Sequence, residues 1–125
     1  MSAFLPHGRH LLVDLHGIAA VRLTDTAAIE ALLREAARVA GSTPVGGHFH
    51  TFGPGLGVTG VLLLQESHIS IHTWPEHGFA ALDVFMCGSA RAERAVAHIE
   101  ATLKPGETRR IEARRGLEPA AVLAR

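Results

Sequence analysis

Cysteine is almost missing from this chain: Cys87 is the single one in 125 residues, so no internal disulfide can form and a reducing compartment is expected. Lysine is as scarce. Lys104 stands against eleven arginines, and 12 basic residues balance 12 acidic ones, which leaves no electrostatic footprint for nucleic acid or an anionic membrane. The one concentration of cations, Arg109, Arg110, Arg114 and Arg115, has no interleaved aromatics and reads as solvated surface. Apolar runs such as Val61 to Leu64 fall far short of the roughly 20 residues of a spanning helix. The N-terminus also lacks the basic start, apolar stretch and small-residue cleavage site of a secretory leader. A soluble cytoplasmic protein is the expectation, with neither a nucleic-acid nor a membrane partner.

What is present is a core. At 47% hydrophobic residues the chain reads as one domain, 1–125, near the common domain size of roughly 100 to 150 residues. His10 to Leu15 alternates as a first strand. Thr24, Asp25 and Thr26 offer capping oxygens to a helix with Ile29, Leu32, Leu33, Ala36 and Val39 on one stripe and Gly41 as its stop. Strands follow at Val45–Phe52 and Val58–Leu64, joined by the turn Gly53-Pro54-Gly55-Leu56-Gly57. Others are expected from Ser67 to Pro75 and from Phe79 to Met86. Ser89 is the expected cap of a second helix carrying Ala92, Ala95, Val96, Ile99 and Leu103, closed by Lys104-Pro105-Gly106. A short strand near Thr108–Ala113 and a loose tail complete the chain. The expected class is α/β (α+β), a two-layer sandwich in the order βαβββαβ, with two helices on one face of a largely antiparallel sheet. The other face must meet solvent, a ligand or a partner.

The segment Glu66-Ser67-His68-Ile69-Ser70-Ile71-His72-Thr73-Trp74-Pro75-Glu76 places an acid, serines and two histidines on a strand whose Ile69 and Ile71 look inward. His68, Ser70 and His72 therefore share the outer face. The glycine turn lacks the lysine and Ser/Thr of a P-loop and the spacing of a dinucleotide fingerprint. Nine histidines permit a metal site built from His48, His50, His68, His72 and His77, but their spacing is unspecific. His7, His48, His50 and His98 read as ordinary polar residues. A hydrolase triad of Ser67, His72 and Asp83 has no nucleophile elbow, and a cysteine hydrolase built on Cys87 is equally underspecified.

The block from Glu66 to Gly78, followed by Asp83-Val84-Phe85-Met86-Cys87-Gly88, resembles the short prokaryotic S-adenosylmethionine decarboxylase proenzymes. The likeness extends to Gly8-Arg9-His10-Leu11-Leu12, His50-Thr51-Phe52 and Gly57-Val58-Thr59-Gly60. It implies autocatalytic scission at Glu66-Ser67 into 1–66 and 67–125, with Ser67 converted to a pyruvoyl group that binds substrate as a Schiff base. It also implies a homodimer of cleaved protomers, two amino-side and two carboxy-side chains, and no metal. His72 is then the processing base and Thr59 a processing hydroxyl, where the family usually carries serine. Cys87 is the proton donor in turnover, Phe52 packs on adenine, and Glu76 lies near the ribose. Ideal alternation puts Ser67 opposite in face to His72, so a bend at the strand start is needed for direct contact. The turn 53–57 is one residue longer than is usual in the family.

The reaction so implied is decarboxylation of S-adenosylmethionine to S-adenosylmethioninamine, the aminopropyl donor for spermidine. An ornithine or arginine decarboxylase on the same scaffold is the alternative within this chemistry. Outside it stand an inactive partner subunit and a histidine-based metal-binding protein.

Overall fold

The structure, a computed structural model, describes residues 6–117; the tail expected after the last strand lies outside them. One sheet holds β1 (His7–His16), β2 (Pro44–Thr51), β3 (Val58–Leu64), β4 (Ser67–Trp74), β5 (Phe79–Cys87) and β6 (Glu107–Gly116). Its spatial order is β2-β3-β4-β5-β1-β6, antiparallel at every step. The helices α1 (Thr26–Val39) and α2 (Ala92–Leu103) pack on each other and on one face of the sheet. This is the expected two-layer α+β sandwich. Written out, the order is βαββββαβ: all four strands expected between the helices are present, one more than the abbreviated βαβββαβ counts.

Burial follows the pleat. Leu11, Val13 and Leu15 of β1, Ile69 and Ile71 of β4, and Leu82, Val84 and Met86 of β5 are all buried beneath the helices, as period-two alternation requires. Helix α1 answers with Ile29, Leu32, Leu33, Ala36 and Ala37, and α2 with Ala92, Ala95, Val96, Ile99 and Leu103. Val39 is only half-buried. On β2, Phe49 reaches the core across Gly60, where any Cβ would come within 2.1 Å of the ring.

Asp25 caps α1, its carboxylate accepting from the Ala28 amide at 3.1 Å. At the other end Gly41 takes φ +83, and the amides of Gly41 and Ser42 return to the carbonyls of Arg38 and Ala37, a Schellman closure. Ser89 does not cap α2. The cap position is Arg91, without a side-chain bond, because a turn beginning at left-handed Gly88 (φ +66) carries the chain past Ser89. The Arg91 amide donates instead to the Ala40 carbonyl at 2.9 Å, so the end of α1 fixes the start of α2.

Thr73 is the buried polar residue among the described core positions. Its hydroxyl donates to the Leu23 carbonyl at 2.8 Å and accepts from the Val58 amide at 2.9 Å, tying β3, β4 and the turn at Ala20–Leu23 together. Thr73→Val keeps the shape but strands both backbone groups. At about 1–3 kcal/mol for each unsatisfied group, urea unfolding is expected to show a lower midpoint at unchanged slope.

Candidate active site

Two groups of chemically capable side chains stand on this frame, at opposite ends of β4. At its start, Gln65 and Glu66 form the two-residue loop between β3 and β4, with Leu64 paired to Ser67. Glu66 has φ +61, a left-handed conformation that costs a non-glycine residue roughly 1–2 kcal/mol. The peptide bond to Ser67 therefore follows a strained residue. The Ser67 hydroxyl accepts from the Cys87 amide at 3.2 Å, so the end of β5 holds it in place. A cavity of about 210 Å³ opens beside this point, lined by Glu66, Cys87, Gly88 and Ser89 with the end of α1.

At the far end, Thr59 and His72 are ladder partners, and Thr59 Oγ1 shares a hydrogen bond of 3.2 Å with His72 Nδ1. Gly57 lies directly on the Thr73 carbonyl, where a Cβ would come within 2.2 Å of the oxygen. This approach folds the glycine turn over the end of β4. Phe52, Leu56, Thr59, His72, Trp74 and Glu76 then line a cavity of about 310 Å³.

The structure thus joins Thr59, His72, Phe52 and Glu76, and separately joins Glu66, Ser67 and Cys87, but does not unite the two sets within one chain. Five residues separate Ser67 from His72, about 17 Å at the rise of a β-strand. The turn bends at Glu66, but Ser67 is already in regular register, and its hydroxyl is engaged by β5. A direct contact between His72 and Ser67 of the same chain is excluded by that geometry.

Between the two ends, the open face carries a cluster not anticipated from the sequence. His10 and His68 donate to Asp83 Oδ2 at 2.6 and 2.7 Å, and Ser70 donates to Oδ1. Burial by itself would raise the Asp83 pKa, but hydrogen bonds from Ser70, His10 and His68 outweigh it and hold the carboxyl below its ordinary value. Arg115 donates to the other nitrogen of His10 at 3.1 Å, which fixes the neutral tautomer with its proton toward Asp83. Among the described residues, His10, His68 and Asp83 are the three whose ligand atoms converge within 4.8 Å. His48, His50, His72 and His77 do not join the cluster.

Comparison with known proteins decides the family. A family model described as S-adenosylmethionine decarboxylase matches residues 9–116. The chain belongs to that family. An S-adenosylmethionine decarboxylase proenzyme of Sulfurihydrogenibium sp. is 45% identical over 113 residues, 90% of this chain and 84% of the relative. That of Methanococcus maripaludis is 44% identical, covering 88% of this chain and 90% of its own. The crystal structure of the adenosylmethionine decarboxylase from Aquifex aeolicus superposes with a TM-score of 0.82 at 40% identity, covering 94% and 95% of the two chains. The Trypanosoma brucei AdoMetDC-delta26 monomer shares the fold, with a TM-score of 0.63 at 15% identity over 83% of this chain and 45% of its own.

Within this decarboxylase family framework, two features escaped the sequence. Trp74 lines the Phe52 cavity, although its parity with His72 was legible. His10 comes from 58 residues upstream of His68, and only the β1–β5 pairing brings it to Asp83. The C-terminal arginines are no single patch either, since the pleat of β6 sends Arg110 to Glu100 on the helix side and Arg115 to His10 on the open side.

The lowered Asp83 pKa has a definite sign. Its stabilisation is present above the ordinary aspartate pKa of about 4 and is lost as pH falls through the lower folded value. Asp83→Asn is expected to be less stable than the wild type at pH 7, with the gap closing below about pH 4. Chemical denaturation across that range measures it.

Proposed function

We propose that this chain cuts itself between Glu66 and Ser67 and that two copies, each supplying one end of its sheet, assemble the site in which S-adenosylmethionine is decarboxylated. The activity is the pyruvoyl-dependent conversion of S-adenosylmethionine to S-adenosylmethioninamine for spermidine synthesis, after autocatalytic cleavage. The observation that supports the residue-level reading is the division of β4, with Ser67 and Cys87 together at its start and His72 and Thr59 together at its end. Homodimeric assembly is typical of the family, and a two-fold axis that set β4 against its counterpart would bring the start of one strand to the end of the other.

Maturation uses the chain's own groups. The Ser67 hydroxyl adds to the Glu66 carbonyl carbon as the amide C–N bond breaks, and its proton goes to the freed amine. The strained Glu66 conformation raises the energy of the peptide being cut. Removal of the residue-67 α-proton then expels the Glu66 carboxylate and leaves dehydroalanine. Tautomerisation and hydrolysis of dehydroalanine release ammonia and leave the ketone. His72 from the partner copy, poised by Thr59, is the base for that α-proton. Thr59 keeps the hydroxyl of the family's usual serine.

The resulting pyruvoyl group supplies the electron sink for departing carbon dioxide. Residues around Ser67 fit such a group: a fixed hydroxyl precursor, a strained preceding residue and an adjoining cavity. Cys87, half-buried beside that cavity, gives its thiol proton to the substrate carbon. Phe52 packs on the adenine, and the Glu76 carboxylate accepts from ribose hydroxyls.

Intact mass of the purified protein is expected to show chains of 66 and 59 residues, the second lacking the serine amine and carrying a ketone. Ser67→Ala abolishes scission and turnover together. A single 125-residue mass after prolonged incubation would falsify the cofactor assignment.

The shared site predicts complementation. Cys87→Ala and His72→Ala are each expected to be inactive alone. A mixed dimer retains one intact pair, Ser67 and Cys87 from one copy with His72 from the other, so co-expression with random pairing restores about a quarter of wild-type activity. Recovery at background level would place the whole site within one chain.

A further inference from the structure

His68 has no part in the chemistry above, yet its backbone nitrogen is the atom that would carry the pyruvoyl group. In the uncut chain, residue 67 is held by the peptide bond to Glu66, by its pairing with Leu64 and by the Cys87 amide, which donates to the Ser67 hydroxyl at 3.2 Å. The proposed maturation removes two of these restraints. The peptide bond breaks, and Ser67 Oγ departs as one oxygen of the new Glu66 carboxylate, so the Cys87 amide loses its acceptor. Pairing with β5 begins only at His68, opposite Phe85.

The His68 side chain is untouched by these steps. Its Nε2 donates to Asp83 Oδ2 at 2.7 Å, and its ring meets that of His10 edge-on at 5.7 Å. Asp83 is itself fixed, because His10 donates to the same oxygen at 2.6 Å and Ser70 to the other. The pleat puts Asp83 and Cys87 on one face of β5. One carboxylate thus ties the start of β4 to the strand that carries the thiol.

We propose that His68 is a positioning residue of the matured site: bound to Asp83, its imidazole clamps the cut end of β4 so that the group built from residue 67 stays beside Cys87. The proposal rests on the decarboxylase reading and names what holds its reactive end once chain continuity is gone. The role belongs to the cut protein, since in the uncut chain Glu66 and the Cys87 amide already restrain residue 67. A chain end that is not tied down frays. A displacement of about 1 Å at a reacting centre can cost around a hundredfold in rate.

Hydrogen exchange read by mass spectrometry follows residues 67–70 in the cleaved wild type and in uncleaved Ser67→Ala. Comparable protection is expected in the two, because the clamp survives the cut. His68→Ala is expected to mature at the wild-type rate and then to lose protection over 67–70, while the uncleaved double variant with Ser67→Ala keeps it. Its kcat falls roughly ten- to a hundredfold with KM within about twofold, the pattern of an interaction expressed in the transition state rather than in binding. His68→Gln, whose amide can donate to Asp83, recovers most of the loss. Protection in cleaved His68→Ala equal to that of the wild type overturns the proposal, as does a kcat within about twofold. Scission slowed as much as turnover also overturns it, since the residue would then be a general support of the sheet. If His68→Ala fails to fold, the wild-type comparison decides: fraying of 67–70 on cleavage sinks the clamp, and retained protection upholds it. A wild type that stays a single 125-residue mass removes the decarboxylase reading and the clamp with it. Normal cleavage and turnover with His68→Ala unaffected remove the role of His68 alone.

Discussion

The pleat of β4 is the constraint from which the rest follows. Ile69 and Ile71 are wholly buried, and each methylene they withdraw from water contributes about 0.8 kcal/mol. That burial fixes the register, because a slip of one residue would drive His68, Ser70 and His72 into the helix layer. With the register fixed, Thr59 must oppose His72, and His68 must oppose Phe85. The hydrophobic side of the strand thus aligns the polar side. Asp83 benefits directly: its three donors come from β1 and β4, and only exact pairing across β5 aims them at one carboxylate.

Much of this was legible in the sequence, for identifiable reasons. Long-period signals were reliable: the stripe of α1, the Asp25 cap and the Gly41 stop act within a few residues of each other, and the structure keeps them. Alternation on β4 and β5 correctly divided core from open face. Ser89 misled because a serine ahead of an apolar stripe is a general cap signal, whereas the contact that starts α2 comes from Ala40, 51 residues earlier. The family resemblance paired Ser67 with His72, and direct contact within one chain needed a bend at the strand start, where the structure instead has Ser67 in regular register. Five residues of extended chain are a short distance in sequence and a long one in space. The glycine turn was read as a tight loop, but the approach of Gly57 to Thr73 that makes it a cavity wall is a tertiary fact.

The open face is economical in charge. Its half-buried carboxylate is met by two imidazoles and a hydroxyl rather than by a lysine or arginine in direct contact, so both of its oxygens are hydrogen-bonded. Arg115 remains at the rim, over the Phe85 ring at 5.7 Å, and acts on Asp83 only through His10. Such a face can be covered by another protein surface without stranding an unpaired ion. Its apolar members, Leu12, Leu63 and Ile111, surround that satisfied centre.

The strand order has a further consequence for the proposed cut in the β3–β4 turn. The amino-side fragment holds β1, β2 and β3, and the carboxy-side fragment holds β4, β5 and β6, but the sheet does not divide between them. β1 lies wedged between β5 and β6, so each fragment is threaded through the other's ladder. Separation would require two ladders to open around β1 and a third between β3 and β4. A protein nicked there would keep its two fragments joined along three ladders without a covalent link. Having once come apart, it would have to refold as a meeting of two molecules, at a rate set by their concentration. Synthesis as one chain supplies the topology while it is still inexpensive in entropy, and scission then makes it a one-way assembly.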